Sequence, residues 1–68
     1  MERQPVTSSN IVSVGYDSQS LTLEIEFNNG IYLYHDVPDH IYQELINSDS
    51  KGSYLHNHIK NAYNHERI

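Results

Sequence analysis

Two short stretches carry the side chains most able to do chemistry. The first is Ser50-Lys51-Gly52-Ser53. Placed at the start of a helix, its unpaired N–H groups, two hydroxyls and one ammonium suit a phosphate. Asn57 and Lys60 share a helical face with Ser53 and would extend that track, while Arg3 and Arg67 are the remaining cations. The expected nucleic-acid or phosphate site is therefore Arg3, Ser50, Lys51, Gly52, Ser53, Asn57 and Lys60, with Arg67 as further charge. The plainer reading is a Ser50 cap and a glycine that lets the first turn approach the sheet. The second stretch, Tyr32-Leu33-Tyr34, could stack bases, unless both rings point into the core.

Other chemistries find less support. His35, His40, His56, His58 and His65 lack the spacing of a zinc site, and the chain has no cysteine. No nucleophile elbow is present. Glu24 and Glu26 could pair as acid and base, but a solvated sheet face explains their alternation. The expectation is a non-enzymatic domain without metal or cofactor.

The positioning elements follow from periodicity. Leu21, Leu23, Ile25 and Phe27 alternate with Thr22, Glu24 and Glu26, and Asn29-Gly30 suits a mirror-image hairpin turn. That loop sets Phe27 opposite Tyr32 and Ile25 opposite Tyr34, which turns both tyrosines toward the apolar face. A preceding strand over 10–16, with Val12, Val14 and Tyr16 inward, pairs Tyr16 with Leu21 across a loop at 17–20. Pro38 and Asp39 then open a first helix carrying Ile41, Tyr42, Leu45 and Ile46. Ser50 caps a second, with Leu55, Ile59 and Ala62 inward.

The predicted class is α+β, a three-stranded antiparallel meander followed by two helices packed on one face. Residues 1–9 read as an extended lead-in and 64–68 as a frayed tail. The uncovered sheet face would hold Ile11, Ser13, Thr22, Glu24, Glu26, Ile31, Leu33 and His35, beside an exposed edge on the third strand. A protein-interaction or self-association surface made of Glu24, Glu26, Ile31, Leu33 and His35 is the alternative to RNA binding.

Sixty-eight residues make one domain, burying about 60% of the unfolded chain's surface. Net charge is -5, from 4 Lys and Arg against 9 Asp and Glu, which opposes strong nonspecific phosphate binding. The opening Met-Glu-Arg-Gln-Pro is not a signal peptide, and no segment could span a bilayer. A cytoplasmic location is expected.

The ordered set Arg3, Ser8-Ser9, Gly15-Tyr16-Asp17, Phe27, Gly30, Tyr32-Leu33-Tyr34, Val37-Pro38, Ser50 to Ser53, Ile59, Lys60 and Tyr63 resembles the KTSC domain family. That family is named from the C-terminus of some lysyl-tRNA synthetases and also includes free-standing small bacterial proteins. The resemblance covers nearly the whole chain, although Tyr54-Leu55 stands where the family tends to have two aromatics. It implies the same fold order and a suggested role in RNA binding, with no established activity.

Overall fold

The computed structural model describes residues 2–8 and 10–68, so Met1 and the Ser9 of the serine pair lie outside the described residues. Five antiparallel strands run in sequence order: β1 (Arg3–Pro5), β2 (Ile11–Asp17), β3 (Thr22–Phe27), β4 (Gly30–Tyr34) and β5 (His65–Arg67). Between β4 and β5 come α1 (Asp39–Asn47) and α2 (Lys51–Tyr54), the latter continuing into a π-helical turn at Leu55–Ile59. The α+β class holds, but the sheet has five strands where three were expected. Both additions come from segments read as a lead-in and a frayed tail. Each is three residues long and polar, so neither has an alternating pattern to betray it.

The core lies between the sheet and the helices. Ile11, Val14, Leu23, Ile25, Tyr34, Val37, Leu45, Leu55 and Ile59 are buried there. Tyr16, Phe27 and Tyr32 pack against them, so the inward placement of both central tyrosines holds. The register differs from expectation by two residues, which preserves the face. Ile25 pairs with Tyr32, Leu23 with Tyr34 and Phe27 with Gly30, around a turn at Asn28 and Asn29. Neither asparagine has positive φ, so the mirror-image turn does not form. Gly30, at φ 151°, takes the unusual backbone instead. Its missing Cβ leaves room for the Arg67 side chain, which would otherwise meet it at 2.7 Å.

The β2–β3 register also slips by two, with Tyr16 opposite Leu23 and Val14 opposite Ile25. A bulge between Ile11 and Ser13 then reverses the parity at the start of β2. Ile11 is 1% exposed and Val12 41%, the opposite of the expected assignment. Leu21 falls in the turn at φ 57° and is 38% exposed, so it leaves the inner face as well.

The first helix starts one residue late. Pro38 is its N-cap, and the Pro38 carbonyl accepts from the amides of Ile41 and Tyr42. Ser50 is the N-cap of α2, but its side chain makes no capping bond. The helical segment ends at Ile59, which leaves Ala62 exposed and not inward. No helix among the described residues is long and apolar enough to cross a membrane.

Candidate nucleic-acid interface

Two open depressions meet along one side of the second helix. The first, of about 480 Å³, lies between the start of α2 and the segment leading into β2. Ser50, Lys51, Gly52, Ser53 and Asn57 line it, joined by Ser8 and Asn10 from the other wall. Five of the seven residues expected to form a phosphate site are thereby brought together. Ser53 and Asn57 are exposed, in line with the solvent-facing stripe. The Lys51 ammonium donates to the Ser48 carbonyl at 3.3 Å, which holds it at the groove's end. Asp49 shares the wall and weakens the local positive potential.

Gly52 does not have the steric role expected of it. A Cβ there would lie 3.7 Å from Asn10 Nδ2 and 4.0 Å from Ser8 Oγ, ordinary contact distances. An alanine fits, although its methyl would intrude on the groove wall.

The second depression, of about 340 Å³, is a slot between the sheet and the second helix. Phe27, Tyr32, Tyr34 and Leu55 form its walls, with Lys60 and His65 also lining it. It shares Asn10, Gly52 and His56 with the first groove, so the two are continuous. Phe27 and Tyr32 meet edge to face with centroids 5.5 Å apart, and His65 sits 5.1 Å from Tyr34. Burial, followed by the nearby Tyr32 phenol, pushes the Tyr34 phenol above its ordinary value. Lys60 thus belongs to the slot and not to the groove that holds Lys51. Order along the chain marks Tyr32, Tyr34 and Lys60 but not the slot they share, because Phe27 and His65 join them only through the pairing of β4 with β3 and β5.

The arginines are elsewhere. Arg3 stands on the outer face of the sheet, where its guanidinium pairs with Glu24 and reaches Glu26 at 4.0 Å. The row Arg3, Gly15, Glu24, Leu33, Glu66 crosses all five strands, and Gly15 lacks the Cβ that would collide with β1. Arg67 lies over Gly30 and donates to the Asn29 carbonyl at 2.5 Å. The four basic residues therefore do not converge on one patch.

Glu24, Glu26, Ile31, Leu33 and His35 do share the outer face, as expected. Glu26 accepts from the Ser13 hydroxyl at 2.8 Å, and His35 lies 3.6 Å from Glu66. However, β5 pairs with β4, so the third strand of the predicted meander is not an exposed edge. Among the described residues no three metal-ligating side chains form a cluster.

The KTSC domain model matches residues 7–63 of the chain. A crystal structure of a KTSC domain protein from Yersinia pestis is similar at a TM-score of 0.96 and 40% identity, over 98% of this chain and 96% of that one. An uncharacterized protein of Stutzerimonas stutzeri is 38% identical over 61 residues, covering 88% of this chain and 86% of that protein. A lysine–tRNA ligase of Trichormus variabilis is 41% identical over 54 residues, which is 78% of this chain but 10% of the ligase.

Proposed function

The chain belongs to the KTSC domain family, and on that footing we propose that it is a non-catalytic domain that binds single-stranded RNA along the groove at the start of α2. One observation carries the reading. Hydroxyls of Ser8, Ser50 and Ser53, the amide of Asn57 and the Lys51 ammonium line a single open groove of about 480 Å³. Hydroxyl- and amide-rich surfaces of this kind, with one lysine set against Asp49, suit ribose and phosphate oxygens bound weakly. The match to part of a lysine–tRNA ligase gives the reading its second support, since that enzyme is named for an RNA substrate.

The net charge of -5 sets the expected strength. With Lys51 in the groove and Lys60 in the slot continuous with it as the two phosphate contacts, affinity falls roughly sevenfold between about 50 and about 200 mM salt, from a slope of about -0.7 per contact. The test is fluorescence anisotropy of a labelled single-stranded RNA at low salt, with Lys51→Glu and Lys60→Glu beside the wild type. Weak binding lost in both variants supports the reading. Binding unchanged in both, or absent from the wild type, removes it.

A further inference from the structure

The core joins both helices to one face of the sheet, so among the described residues the other face is bare. Its side chains fall into bands that follow the strands. Glu24 and Glu26 stand on β3, with Arg3 paired to the first and 4.0 Å from the second. One guanidinium thus answers two carboxylates, and Glu66 on β5 adds a third, exposed and 3.6 Å from His35. Between these carboxylates run Leu33, opposite Glu24 and Glu66, and Ile31, opposite Glu26. Beyond β3 the bulge in β2 turns Val12 outward, where it joins Pro5, Ser13 and both glutamates around an open depression of about 410 Å³.

We propose that this outer face docks a cationic amphipathic helix of another protein, laid along β4. Its apolar stripe covers Ile31 and Leu33, and lysine or arginine side chains on its two flanks meet Glu24 and Glu26 on one side and Glu66 on the other. The depression accepts a long basic side chain whose methylenes cover Val12 and Pro5 while its charge reaches Glu26. Charge decides among occupants. Three carboxylates against one guanidinium repel a phosphate backbone, and a second copy would bring a face of like charge. Size agrees with that choice. Five strands about 4.8 Å apart, with about 3.3 Å per residue along them, give a face of roughly 400 Å². A stable dimer buries about 800 Å² on each partner, whereas a helix of about 13 residues spans about 20 Å and fits the face. The surface lies across the sheet from the groove at α2, so it is independent of the RNA reading.

Nuclear magnetic resonance on the isotope-labelled full chain tests the surface. The probes are a synthetic leucine–lysine helix of about 13 residues, the same helix with glutamate for lysine, and a uridine oligomer. The leucine–lysine helix should move the amides of Glu24, Glu26, Leu33 and Glu66 and leave those of Ser53 and Asn57 in place. Glu26→Gln combined with Glu66→Gln should weaken it roughly fivefold. That variant keeps the fold, because an amide oxygen at position 26 still accepts from the Ser13 hydroxyl. Leu33→Ala should weaken the same probe by a similar factor, with the thermal melt measured beside it. Equal shifts with the leucine–glutamate helix, affinity unchanged in the double glutamine variant, or no shifts on this face overturn the proposal. Two other results also overturn it: shifts of these amides by the uridine oligomer assign the face to RNA, and their dependence on protein concentration alone assigns it to a second copy.

Discussion

Replacing Gly15 by alanine should destabilise the domain, and should do so only while β1 is present. Gly15 sits mid-strand in β2 without positive φ, so an alanine there ordinarily gains about 0.5–1 kcal/mol through lower backbone entropy. Here the new Cβ would stand 2.7 Å from the Glu2 carbonyl oxygen and 3.0 Å from Arg3 Cγ. The first contact is backbone and cannot swing aside, so β1 must shift. Overpacking of this kind costs about 1–3 kcal/mol. Loosening the Arg3–Glu24 pair, whose side chains are 29% and 14% exposed, adds about 0–1 kcal/mol. The net is a loss of about 1–2 kcal/mol, which for a domain of this size lowers Tm by roughly 5–15 °C. Urea denaturation of the full chain and of a version shortened by residues 2–5 gives the comparison. The substitution should destabilise the first and stabilise the second by about 0.5–1 kcal/mol. An effect of the same sign in both backgrounds refutes the packing of β1 against Gly15.

Two further outcomes follow from strained or buried groups. Leu21 holds φ 57° while its carbonyl accepts at 2.9 Å from the amide of Val37, in the segment between β4 and α1, and asparagine tolerates that backbone far better than a β-branched residue. Leu21→Asn should therefore exceed Leu21→Val in urea midpoint by about 1–2 kcal/mol equivalent, and equal midpoints would contradict the turn geometry. The Tyr54 phenol is pushed up to about 12 by burial and then by its hydrogen bond to Glu44. Its folded-state value lies above the unfolded one, near 10, so the neutral form favours folding. That stability is complete below about pH 10 and is lost as pH rises from about 10 through about 12. Measured by urea midpoint against pH, Tyr54→Phe should flatten this decline, and a decline unaltered by the substitution would sink the assignment.

Parity was legible along the chain and register was not. Alternation in Leu23, Ile25, Tyr32 and Tyr34 placed the tyrosines inward, because a slip of two residues keeps every side chain on its face. Asn29-Gly30 is a strong turn signal, but Gly30 was needed in the strand, where Arg67 crosses it. That requirement comes from a segment 37 residues downstream. The bulge at the start of β2 changed parity by one residue, and no residue type there announces it. Strands β1 and β5 gain their order from pairing with β2 and β4, not from an apolar pattern of their own. The candidate site shows the same division. Residues close in sequence, Ser50 to Ser53 and Asn57, were recognised as a group, because helical spacing is local. Arg3 is expected in the site from its charge alone, and the structure corrects this by placing it on the far face with Glu24. The pairing of β1 with β2 that puts it there is not readable from order along the chain. The slot needed Phe27, Tyr34, Lys60 and His65 from four separate segments, and only tertiary packing assembles them.

Ultraviolet crosslinking of a uridine oligomer to the wild-type protein, followed by peptide mapping, addresses most directly where recognition occurs. Crosslinks concentrated on the peptides that carry Ser8, Ser50 to Ser53 and Asn57 are the expected result. Crosslinks on Leu33, His35 or other residues of the outer sheet face would contradict the account.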